Sequence, residues 1–208
     1  MWNAGDAMNN PMTGTRAVVR LGRADTGDDR VVLDLFVPPG ASLGAEHVHP
    51  SLGERIEVLS GRVGYALGGR GGLALRGDVL DIPAGTVHDW WNAGEQEAHV
   101  RLDVWPAARF ELLVETLFGL AAEGRTDARG TPGLLQRAVL ARDFAPEVVA
   151  ARSRPVRAAL RALAPLARLL GRRATYPQHR ELLLRYGSAR VAEAPAPEPV
   201  VQPLARVA

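Results

Sequence analysis

The apolar residues of this chain change their period at Pro106, and that change limits what the chain can fold into. Upstream, from Thr15, apolar residues come in short runs broken by Gly and Pro. Val31, Leu33, Leu35 and Val37 alternate, as on one face of a half-buried strand. Gly68-Gly69 and Gly71-Gly72 punctuate the next hairpin. Many short strands with close turns predict a sandwich or barrel. Downstream, Phe110, Leu113, Val114, Leu117 and Leu120 sit at helical spacing, with Gly124 placed to end the helix. Further helices are predicted over 132–143, with Pro132 in the first turn, over 155–170, ended by Gly171, and briefly near 178–186. The flanks differ. Residues 1–14 are polar and rich in Gly and Asn, and residues 191–208 mix Pro with Ala, Glu and Val, so both are expected to be flexible. The predicted plan is a barrel over 15–106 and a helical extension over 107–190, which suits 208 residues.

Composition removes several chemistries. There is no cysteine, hence no disulfide and no thiolate ligand. There is no lysine either, which excludes a Schiff-base lysine and a phosphate-loop lysine. No apolar run is long enough to span a bilayer, and the first fifteen residues lack the apolar stretch of a secretory signal. Those features fit a cytoplasmic protein.

Any metal must therefore be held by nitrogen and oxygen, and two stretches supply them. The first, residues 44–54, offers His47, His49 and Glu54; the second, residues 77–92, offers His88. His47 and His49 are two apart and share a strand face. A turn at 50–53 brings Glu54 to the start of the next strand. If Glu54 points inward, so do Ile56 and Val58, while Arg55 and Glu57 face out. Asp81-Ile82-Pro83-Ala84-Gly85 reads as a strand entering a tight turn. Inward His88 implies inward Trp90 and Asn92. Three imidazoles and a carboxylate suit zinc, iron, copper, nickel or manganese, and such a site can leave positions open for water or substrate. Trp90, Tyr65, Ile56 and Asn92 are the candidate pocket residues.

The two stretches resemble the paired motifs of the cupin superfamily. The first motif runs Gly, five residues, His-X-His, three or four residues, Glu, six residues, Gly; His47, His49, Glu54 and Gly61 keep those spacings, while Gly40 stands one residue early. The second is matched throughout by Gly77, Pro83, Gly85, His88 and Asn92. The resemblance implies a double-stranded β-helix (jelly-roll) barrel holding one divalent metal on His47, His49, Glu54 and His88. It also implies association as a homodimer and a role for Glu54 as catalytic base. A barrel followed by helices carrying a Gly-X-Pro step such as Gly130-Thr131-Pro132 is similar to bacterial single-domain cupins with a C-terminal helical extension. The function expected is a metal-dependent enzyme, dioxygenase-like, acting on a small organic molecule. An isomerase using the same metal as Lewis acid, and a non-catalytic metal or small-ligand binding module, are the alternatives.

Residues 152–190 are rich in arginine, with Glu181 as the single acid. Over 155–170, Val156, Leu160, Leu163, Ala167 and Leu170 share one side of a helical wheel, interrupted by Pro165. That stripe is expected to pack on its own domain and leave the arginines solvated, with contact to an anionic membrane surface as the alternative. No nucleic-acid partner is expected. His99 alternates with an apolar set and is expected on a polar face. His179, in the extension, is expected to be solvated.

Overall fold

The computed structural model describes residues 1–27 and 29–187. The predicted tail over 191–208 lies outside the described residues. In chain order the elements are β1 (Ala7–Asn9), β2 (Arg16–Leu21), α1 (Arg23–Thr26), β3 (Val31–Val37), β4 (His47–Val48), β5 (Gly53–Ser60), β6 (Arg62–Leu67), β7 (Arg70–Leu75), β8 (Val79–Ile82), β9 (Val87–Asn92), β10 (Ala98–Trp105), α2 (Phe110–Ala122), α3 (Leu134–Asp143), β11 (Val149–Ala150), α4 (Arg154–Ala162), α5 (Ala164–Leu169) and α6 (Pro177–Gly187). The strands form two antiparallel sheets, ordered β1-β2-β3-β10-β5-β8 and β11-β4-β9-β6-β7. From β3 to β10 the chain passes repeatedly between the sheets, the winding of a jelly roll.

The two inner faces make one core. On the larger sheet Ile56 stands opposite Leu102, which stands opposite Leu33. On the smaller sheet Trp90 stands opposite Tyr65, and Asn92 opposite Val63. β3 is buried along its whole length, not on one face only. Its outward Asp34 is covered by Arg20, Arg101 and His99, which surround the carboxylate. His99 lies on this polar outer face, stacked on Phe36.

Two segments depart from the sequence expectation. Residues 1–14 are tied in: β1 pairs with β2, and Trp2, 1% exposed, reaches the core cluster. Its indole N–H donates to Glu115 at 2.8 Å and its backbone N–H to Glu111 at 3.1 Å. One large aromatic with a satisfied polar handle outweighs the local Gly and Asn content. His179 is buried instead of solvated, at 1% exposure between α6 and α2. A Cβ on Gly119 would stand 2.2 Å from its ring, so the helix–helix approach depends on that glycine.

The extension is packed on the barrel. Phe110, Val114, Phe118 and Leu183 join the barrel core, while Leu113, Leu120, Leu140 and Phe144 form a second cluster among the helices.

Candidate metal centre

β4 and β9 lie side by side, with His47 in register with His88. His49 follows β4 directly, and Glu54 stands second in β5 on the opposite sheet, between Val104 and Ile82. The next turn explains how His88 is aimed. Thr86 N–H donates to Pro83 O at 3.1 Å, and Gly85 occupies φ +81°, a conformation that side chains other than glycine resist. Gly85 N–H donates to His49 O at 2.8 Å, which ties the turn to the first motif.

One ring atom from each of His47, His49 and His88 lies within 4.8 Å of the other two. Each Nδ1 has a backbone carbonyl as partner: Ala45 O at 2.9 Å for His47, Glu147 O at 2.5 Å for His49, and Thr86 O at 2.9 Å for His88. A carbonyl can only accept, so each Nδ1 carries the proton and each Nε2 presents its lone pair. The Nε2 atoms of His47 and His49 then face each other at 3.1 Å with no proton between them. Two lone pairs at that separation repel unless a cation lies between the rings. Backbone acceptors behind the ligating imidazoles are the usual support of a metal site.

Glu54 stands beside the trio. Its Oε2 is 2.9 Å from His88 Nε2 and 3.9 Å from His49 Nε2. Both Glu54 Oε2 and His88 Nε2 are buried without an aligned hydrogen-bond partner. Orphaned buried polar atoms of this kind are costly, and a divalent cation would satisfy both. The donor set thus fits a divalent metal ion, with His47, His49 and His88 as the tight group and Glu54 adjoining.

The electrostatics agree for His47, His49 and Glu54. Burial, helped by the charges of His49 and His88, lowers His47 to about 4. Burial lowers His49 as well. Burial alone would also lower His88, but contact with Glu54 and its charge outweigh this and raise it. Burial alone would raise Glu54, but contact with His88 and the charges of the three imidazoles hold it below its ordinary value. The lowered values of His47, His49 and Glu54 favour the protonation states that metal binding requires, whereas at His88 an ion competes with the proton that Glu54 favours.

Trp90 and Ile56 are buried and Tyr65 is half-buried, all in or against the barrel core. Tyr65 lies over Gly72. Asn92 differs from the pocket-lining expectation. Its amide donates to Val37 O and Gln96 O, both at 2.7 Å, and accepts from Gly94 N–H at 2.8 Å, so it braces the strand end and has little left for a ligand.

The sequence reading missed a strap from the extension. β11 pairs with β4, so that Val149 faces Val48 and Ala150 faces His47. Ser51 Oγ donates to Pro146 O at 2.9 Å, and Ala151 N–H to Glu46 O at 3.0 Å. The Glu147 carbonyl that receives His49 is fixed through its own side chain, which Arg109 grips at 3.0 and 3.1 Å. Phe110 sets its ring 6.4 Å from that of His49. Glu147 is 98 positions from His49, and a backbone carbonyl leaves no residue-type signal.

Residues 34–105 match the family model described as a cupin domain. No curated protein matches the sequence. Similar solved structures include a predicted oxalate decarboxylase from Thermotoga maritima, with 23% identity over 44% of this chain and 79% of that chain at a TM-score of 0.41. KdgF from Halomonas sp. aligns at 21% identity, over 48% of this chain and 84% of that one, with a TM-score of 0.42. A cupin-superfamily sugar phosphate isomerase from Silicibacter pomeroyi aligns at 21% identity, over 45% and 60%, with a TM-score of 0.40. The paired motifs, the winding of the two sheets and the family match over 34–105 together identify residues 34–105 of this chain as a cupin domain.

Proposed function

We propose that the barrel holds one divalent metal ion on His47, His49, His88 and Glu54, and that the protein is a metal-dependent enzyme, dioxygenase-like, acting on a small organic molecule. The supporting observation is the convergence of three Nε2 lone pairs whose Nδ1 protons are all committed to backbone carbonyls. Iron, manganese, nickel, copper or zinc suits this nitrogen and oxygen set. Bound here, such an ion supplies Lewis acidity and, where redox-active, dioxygen activation. Trp90, Ile56 and Tyr65, in or against the barrel core, would form the apolar wall of the pocket. Glu54, held ionised, is the proton acceptor nearest His88. The reading includes a homodimer; exposed Leu73 and Leu75 lie on β7, the last strand of its sheet.

The test is metal analysis of protein purified without chelator, followed by oxygen uptake with phenolics, diketones and sugars. Stoichiometric metal in the wild type, lost in His49→Ala, is expected. His49→Ala retaining full metal would refute the ligand assignment. Turnover without oxygen uptake would move the reading to an isomerase. Saturable ligand binding without turnover would move it to a binding module.

A further inference from the structure

The extension carries a basic, leucine-tipped surface beside the stripe that the sequence pattern predicts to be buried. Between Glu147 and Glu181 lie eight arginines and no carboxylate side chain. The predicted single helix is broken at Leu163 into α4 and α5, with Pro165 in the first turn of the second. The break changes which residues pack. Ala164 and Ala167, three apart, are the buried residues of α5 and meet Val139. Leu166, Leu169 and Leu170, at the i, i+3 and i+4 positions of the other face, are 50%, 84% and 59% exposed. α4 buries nothing fully, and its Val156 is exposed. The small residues hold the helix to the domain and the large apolar ones face away from it.

Arginines adjoin these leucines in sequence, at Arg168, Arg172 and Arg173. Arg168, Arg172 and Arg173 line an open surface cavity of about 540 Å³ together with Asp143, Ala174, Thr175 and Pro177. Asp143 pairs with Arg168. Among the described residues, Arg172 and Arg173, like Arg152, Arg154 and Arg157 around α4, have no carboxylate partner. No described helix is long and apolar enough to cross a membrane.

We propose that this face, centred on α5, docks the protein on an anionic lipid bilayer surface. Protruding leucines and unpaired guanidinium groups answer two layers of one target, the acyl region and the charged headgroups above it. A nucleic acid would use the arginines and leave the leucines in water. A folded acidic protein would need a contoured apolar socket, whereas these leucines project from a convex helix face. The inference stands apart from the metal reading, since none of these residues touches the histidine cluster.

The experiment is cosedimentation of the full chain with sucrose-loaded vesicles of phosphatidylcholine alone, or with 30% phosphatidylglycerol (about one lipid in three, to give a surface potential), at low and high salt. Two variants accompany it: Leu169→Ser with Leu170→Ser, and Arg172→Ala with Arg173→Ala. The altered side chains are largely solvent-facing, and circular dichroism confirms folding. Binding to the anionic vesicles at low salt, and loss of it at high salt, are expected. The double arginine variant should bind about thirtyfold more weakly, from roughly fivefold per basic residue. The double leucine variant should bind at least about tenfold more weakly. Failure of the wild type to sediment overturns the proposal, whether a second protein or residues 188–208 occupy that face. Unchanged binding of the leucine variant also overturns it, and would leave a general polyanion surface.

Discussion

Arg109→Ala should weaken metal binding although Arg109 touches no metal ligand. Arg109 grips both oxygens of Glu147 and also donates to the Asp143 carbonyl. Glu147 is 3% exposed, and its carbonyl receives the Nδ1 proton of His49. Without Arg109 the carboxylate is buried and unpaired. Breaking a buried pair costs about 3–5 kcal/mol. The Arg109 side chain is 43% exposed, so solvent screening places this case below that range. The strap can relieve the strain by swinging Glu147 toward water, which carries its carbonyl away from His49. Loss of such a support behind a ligand typically costs tenfold to a hundredfold in affinity, about 1.4–2.8 kcal/mol. The measurement is a chelator-competition titration of the full chain with zinc and manganese, wild type against Arg109→Ala, with folding followed by circular dichroism. Adding Glu147→Gln discriminates the cause. The amide removes the stranded charge and leaves the main-chain carbonyl in place, so the double variant should recover part of the lost affinity. Wild-type affinity in a folded Arg109→Ala protein would refute the argument, because the strap would then carry no ligand orientation.

Three other outcomes follow from the same structure. Saturating the site with metal at about a hundred times its dissociation constant should stabilise the fold by about 2.7 kcal/mol, or roughly 5–10 °C in Tm for a chain of this size; a chelator should reverse the shift, and no shift in calorimetry would count against the site. Burial alone would raise Asp34, but His99, Arg101 and Arg20 outweigh it and hold it well below the usual carboxylate range. A folded-state value below the unfolded one stabilises the fold above about pH 4, and that contribution fades as pH falls through the folded value. Asp34→Asn should cost about 3 kcal/mol at neutral pH and flatten the acid limb of a denaturation-versus-pH series; an unchanged limb would show the cluster to be inert. Gly119→Ala should cost about 1–3 kcal/mol by overpacking against His179. Hydrogen exchange should show the loosening confined first to α6, and uniform loosening would contradict that placement.

Side-chain chemistry at local spacing was legible in the sequence; main-chain chemistry at long range was not. The convergence of His47, His49, Glu54 and His88 could be expected because each motif keeps its candidate ligands within a few residues, and strand alternation assigns their faces. The pattern of β9, with His88, Trp90 and Asn92 buried and Asp89 and Trp91 less so, follows from that alternation. Turn chemistry at Pro83 and Gly85 was readable for the same reason, since glycine at φ > 0 is a residue-type signal. The acceptors behind the histidines left none. Ala45, Thr86 and Glu147 contribute carbonyls, which every residue has. Trp2 and His179 were misplaced because their partners, Glu115 on α2 for one and Gly119 on α2 for the other, lie 113 and 60 positions away along the chain.

The helical wheel over 155–170 held for Ala167, which is buried, and for Leu160 and Leu163, which are half-buried, but not for its ends, Val156 and Leu170, which are exposed. The wheel presumes one continuous axis, and Pro165 removes that premise. In the helix that restarts at Ala164, Ala164 and Ala167 are buried and Leu166, Leu169 and Leu170 are exposed, so of the predicted stripe Leu170 is the residue lost there. Two alanines permit close approach to α3 but remove little apolar area from water, whereas three leucines left in solvent forgo several times as much. A packing element shaped by stability alone would place the large residues inside. The opposite arrangement, on a stretch where Arg172 and Arg173 have no carboxylate partner among the described residues, argues that the extension has two faces with separate tasks. One reaches through Glu147 to His49 in the candidate metal centre; the other, with its exposed leucines, is the face proposed to meet a bilayer.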